Sequence, residues 1–122
     1  MGNGRKWRVT ACLGLMVLAA AGVAQAHARL VSSLPGAGTT VGPPALLRLQ
    51  FSESLAGKFS SLRLTAADGR PVTLVIRDVG DPKALAAAPA NPLTPGLYQV
   101  SWVAVADDDG HKTSGSFRFS VK

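Results

Sequence analysis

Leu97-Tyr98-Gln99-Val100-Ser101-Trp102-Val103-Ala104-Val105 is the stretch that decides the fold, together with Gly115-Ser116-Phe117-Arg118-Phe119-Ser120-Val121 close behind it. In the first, Tyr98, Val100 and Trp102 fall on one face. In the second, Phe117, Phe119 and Val121 point one way, and Ser116, Arg118, Ser120 and Lys122 the other. A period of two is the signature of a strand with one face in a core. Pro95-Gly96 turns the chain into the first strand, and Asp107-Asp108-Asp109-Gly110-His111 joins it to the second. Two long strands and a short acidic loop make an antiparallel unit, which needs further strands to bury its apolar face.

Working backwards, the chain supplies them. Leu47, Leu49 and Phe51 alternate with Arg48, Gln50 and Ser52 over Leu46 to Ser52. Lys58 to Thr65 and Val72 to Arg77 flank Asp68-Gly69, a turn signal, and read as a hairpin with a longer loop. Ala28-Leu30-Ser32 is a weak first strand, and the Gly- and Pro-rich run from Ser33 to Pro44 an irregular connection. Between Asp78 and Pro95 the alanines suggest helix, but Pro82, Pro89, Pro92 and Pro95 leave little room for one. One short edge strand around Lys83–Ala87 is the expectation there. Short strands at this spacing predict an all-β sandwich or barrel.

Residues 1–26 read as targeting sequence. Arg5, Lys6 and Arg8 form a basic start, Ala11 to Val23 an apolar run too short to span a membrane comfortably, and Ala24-Gln25-Ala26 a leader-peptidase site. Arg5-Lys6 is not a twin arginine, so the general secretory route is expected. Cleavage leaves residues 27–122, one small domain. Cys12 goes with the leader, so no disulfide braces the domain. The formal charge of +6 falls to +3 over residues 27–122, with ten Lys/Arg against seven Asp/Glu. Those cations are scattered, without the basic run and interleaved aromatics of a nucleic-acid footprint.

The chain has two histidines, His27 and His111. Cleavage before His27 would free an α-amine beside an imidazole, and amine plus Nδ1 close a six-membered ring on a metal. An α-amine has an ordinary pKa of about 7.7–8.0, so a metal displaces its proton at little cost near neutral pH. Asp109 and His111, two apart, would point the same way in an extended chain. The bland alternative is an acidic turn with a solvated histidine, and Asp107 and Asp108 suit solvated loop charges. Amine, two imidazoles and a carboxylate make an N,O set suited to tetragonal copper(II), with zinc as the other candidate. Met1 and Met16 leave with the leader, so no thioether copper(I) site remains, and blue copper lacks its cysteine.

The post-leader chain resembles the CopC family of periplasmic copper-binding proteins. The matching features run in order. They are His27-Ala28-Arg29-Leu30 with Ser32 and Pro35, then Leu49-x-Phe51-Ser52-Glu53, then Pro92-Leu93-x-Pro95-Gly96-x-Tyr98-x-Val100-x-Trp102. Asp109-Gly110-His111 and Gly115-x-Phe117-x-Phe119-x-Val121 follow. The resemblance implies a seven-stranded Greek-key barrel or sandwich, immunoglobulin-like or cupredoxin-like. It implies a non-enzymatic role in buffering, sequestering or delivering copper in the periplasm. His27, Asp109 and His111 match the family's copper(II) ligands, one ion per mature chain, and Glu53 a weak axial or outer group. Asp107 stands where a serine is common, and the methionine-rich copper(I) segment of some members is absent. A polytopic membrane transporter of the CopD type is an expected partner, separate because the chain ends at Lys122, and a monomer is expected. Two alternatives remain open: a histidine-brace copper monooxygenase and a metal-free immunoglobulin-like interaction module.

Overall fold

The computed structural model describes residues 27–122, so the expected leader over residues 1–26 lies outside the described residues. Nine strands build two facing sheets, with no helix among the described residues. The first sheet takes β1 (Leu30–Leu34), β3 (Leu47–Phe51), β6 (Leu74–Arg77) and β7 (Ala84–Pro89), in the order β1-β3-β7-β6. The second takes β2 (Thr40–Val41), β4 (Ser61–Ala66), β5 (Pro71–Val72), β8 (Gly96–Val105) and β9 (Lys112–Val121), in the order β2-β9-β8-β4-β5. All neighbours are antiparallel except β2 and β9. The expected all-β sandwich is the observed class. Nine strands replace seven because β2 and β5 are two-residue pieces.

The alternation read from sequence is the packing. Leu47, Leu49 and Phe51 of β3 face Tyr98, Val100 and Trp102 of β8 and Phe119 and Val121 of β9 across one core. The Phe51 and Trp102 rings meet edge-on, centroids 5.1 Å apart, and Tyr98 stacks on Phe119 at 5.8 Å. Such pairs add about 0.5–1.5 kcal/mol beyond the area they bury. Tyr98 also donates its hydroxyl to the Thr94 carbonyl at 2.7 Å, so its polar end is satisfied. Phe117 takes the expected face and packs against the core, half-buried.

Several element expectations need correction. The run expected to be irregular from Ser33 to Pro44 holds the end of β1 and all of β2. The last strand begins at Lys112, three residues before the expected Gly115. Val72–Arg77 is not one strand: β5 pairs with β4 only through Leu64↔Val72 and Thr65↔Pro71. The chain then crosses at Thr73, and β6 joins β7 in the other sheet. Both halves are apolar, so composition alone hides the crossing. The strand expected from Lys58 starts at Ser61, because the amides of Phe59 and Ser60 both turn back to the Ala56 carbonyl. Finally, β7 is an inner strand between β3 and β6, and β6 is the edge. Ala86 is buried on the outer face of that sheet, flanked in register by Arg48 and Arg77. Long basic side chains cover apolar surface with their stems, which a reading of alanines misses.

Candidate metal centre

Strands β8 and β9 run side by side through ten residue pairs, from Gly96↔Val121 to Val105↔Lys112. Their long register delivers residues 106–111 as one closed loop at an end of the sandwich. Ala106 donates its amide to the His111 carbonyl, and Gly110 donates to the Ala106 carbonyl, each at 2.9 Å. Gly110 has φ of +72°, a left-handed conformation that costs a side-chain-bearing residue more than glycine. The segment is a turn, not the extended piece expected from sequence. Asp109 and His111 nevertheless converge, by a different route. Asp109 Oδ1 accepts the His111 amide and Oδ2 accepts from His111 Nδ1, both at 3.0 Å. The His111 amide, above all, holds the Asp109 carboxyl below its ordinary 3.8, against a desolvation that opposes, and the hydrogen bond from the His111 ring adds to the lowering. A carboxylate on Nδ1 fixes the ring and leaves Nε2 as the free donor.

His27 arrives from the other end of the chain. Its ring lies 4.7 Å from that of His111, at 63°. The residues behind it are tied to both sheets. Ala28 is buried in the core, and its carbonyl accepts the Thr113 hydroxyl of β9 at 2.7 Å. Arg29 exchanges two bonds with Ser52 at the end of β3: its amide donates to Ser52 Oγ and its carbonyl accepts the Ser52 amide, each at 2.9 Å. The N-terminal segment therefore crosses the mouth of the sandwich and sets His27 against the loop.

The other acidic residues sit to one side. Glu53, Asp107 and Asp108 line an open recess of about 460 Å³ with Ser52, Ser54 and Lys83. The Asp107 amide bonds the Ser54 carbonyl at 2.9 Å, which ties the loop to the Glu53 segment. Glu53 is half-buried there. Among the described residues, no three His, Cys, Asp or Glu side chains are arranged to hold a metal as they stand. The His27 nitrogen lies in a peptide bond when residue 26 precedes it, and both Asp109 oxygens accept from His111. Each carboxylate oxygen keeps a second lone pair, so Asp109 can still accept a further partner. Residues 27–122 contain no thiol or thioether, so the side-chain donors are nitrogen and oxygen only. Sequence reading did not single out Thr113, whose role depends on cross-strand register and has no local signature.

Residues 30–122 match the family model described as the CopC domain. Copper resistance protein C of Pseudomonas syringae pv. tomato is 42% identical over 116 residues, covering 89% of each chain. The crystal structure of PcoC, a methionine-rich copper resistance protein from Escherichia coli, superposes with a TM-score of 0.73 at 38% identity, over 79% of this chain and 99% of that one. CopC from Methylosinus trichosporium OB3b gives 0.72 at 28% identity, over 79% and 94%. The match runs through both sheets and the loop between β8 and β9, and on it the chain belongs to the CopC family.

Proposed function

We infer that this protein, once cut after Ala26, binds one copper(II) ion in the periplasm and buffers or delivers it without catalysing a reaction. The ligands in this reading are the His27 amine and ring, Asp109 and His111. The observation that carries it is the meeting of His27 with His111 at 4.7 Å while Asp109 grips the same His111 ring. The names of relatives, copper resistance proteins, support copper as the ion. An N,O donor set favours copper(II), which also heads the affinity order of first-row divalent ions. The methionines, Met1 and Met16, lie in the leader, so the copper(I) chemistry suggested by a methionine-rich relative has no thioether ligand here. Glu53 acts from the adjoining recess as an outer group that tunes affinity. A separate membrane transporter of the CopD type is the partner that would accept or supply the ion, with this chain as a monomer.

A histidine-brace monooxygenase would start from the same N-terminal residue. The anionic Asp109 beside His111 argues against it, because a carboxylate stabilises copper(II) and hinders reduction. Residues 27–122 compete for copper(II) against a chromogenic chelator in the decisive measurement, beside His111→Ala and a chain extended by one residue before His27. Both changes are expected to weaken binding strongly, about tenfold or more. Equal affinity in the extended chain would remove the amine from the ligand set and overturn the site. Ascorbate-driven oxygen uptake by the loaded protein would favour the enzyme instead.

A further inference from the structure

Thr113 stands two residues beyond His111 on β9, yet its hydroxyl is directed at the other end of the chain. Oγ1 donates to the Ala28 carbonyl at 2.7 Å, across 85 positions of sequence. The Ala104 carbonyl lies at 3.5 Å from the same oxygen, so the single proton belongs to Ala28. On the opposite side Ser52 holds Arg29. Arg29 is exposed at the surface, where water can replace the Ser52 hydroxyl, whereas Ala28 is 1% exposed and Thr113 half-buried. Ala28 directly follows His27, so only a few backbone rotations, the Ala28 φ and the His27 ψ among them, lie between that fixed carbonyl and the α-amine. Fixing that carbonyl limits the rotations that would swing the α-amine away from the loop. Because Thr113 lies near the start of β9, two residues after His111 in the preceding loop, one short segment positions both halves of the site.

We propose that Thr113 is a positioning residue for the metal site, holding the N-terminal amine and ring of His27 in register with His111 through its bond to Ala28. The inference rests on the copper(II) reading above and adds a specific residue to it. Losing a hydroxyl here does not remove a ligand. It frees the N-terminal segment, so the chelate must be ordered each time an ion binds, and affinity falls through lost preorganisation.

The test is copper(II) affinity of residues 27–122, measured by chelator competition, for wild type, Thr113→Val, Thr113→Ala and Thr113→Ser. The two hydroxyl-free variants are expected to bind about 10–100-fold more weakly, the usual cost of losing an outer partner, and Thr113→Ser to bind as wild type does. The Ala variant keeps the test available should the Val branch disturb the strand. The same pair of changes is then made in the chain extended by one residue before His27. There Thr113→Val is expected to have little further effect, since the chelate it serves is already broken. A merely structural role would weaken both backgrounds equally, and that result overturns the proposal. So does wild-type affinity in both hydroxyl-free variants. A wild-type chain that binds no copper(II) sinks the functional reading itself, an outcome distinct from either.

Discussion

Gly115 faces Trp102 across β8 and β9. A Cβ at Gly115 would come within 2.6 Å of Trp102 Cζ2 and 3.0 Å of Cε2. The obstacle is a rigid indole, held from the other sheet by Phe51. Gly115→Ala should therefore cost about 1–3 kcal/mol, the range for overpacking a core. Trp102 is the one tryptophan in residues 27–122, so its emission reports the displaced ring during urea unfolding. An unchanged midpoint and spectrum would show that the indole yields freely. Gly115 was legible in sequence only as the first residue of a strand. Its reason lies in a partner thirteen positions away, set by register. Thr113 was illegible for the same cause. The meeting of His27 with His111, and of Asp109 with the His111 ring, was legible because histidine is scarce here and the acidic loop stands beside one of the two histidines.

Among the elements, β3, β8 and β9 were readable because each has one wet face and one dry one. β9 also shows what such a face is worth. Phe119 is 1% exposed and stacks on Tyr98. Phe119→Ala leaves a cavity between two strands anchored elsewhere, with little scope for collapse, and should cost about 3–5 kcal/mol. Urea denaturation of the copper-free domain measures it, and a loss below about 1 kcal/mol would contradict the packing. The elements that were not readable lack a one-sided pattern. β2 spans two residues in a Gly/Pro-rich run and gains its identity only by lying parallel to Ser120 and Val121. β5 and β6 are both apolar and join different sheets on either side of Thr73. β7 is alanine-rich, so its central place depends on neighbours that cover it.

At the scale of the molecule, charge is unevenly placed. Glu53, Asp107, Asp108 and Asp109 gather at the mouth, four of the seven carboxylates in residues 27–122. The ten cations are spread over the chain. Acid removes the negative charges and leaves the cations to repel one another. Asp81 adds a specific local contribution. Its Oδ1 accepts the Lys83 amide at 2.9 Å, and its Oδ2 accepts Gln50 Nε2 at 2.9 Å and Arg48 at 3.3 Å, joining the entry of β7 to β3. The Lys83 amide first, then Gln50 and Arg48, hold the folded carboxyl below the ordinary 3.8. The unfolded chain therefore takes up this proton more readily than the folded one. The stabilisation is fully present above the unfolded value and is lost as pH falls through the folded one. Asp81→Asn should lower the thermal midpoint of the copper-free domain near pH 7, and the gap from wild type should close as the scan is lowered from about pH 5 to about pH 2. A gap that stays constant over that range would mean that Asp81 acts through its shape and not its charge.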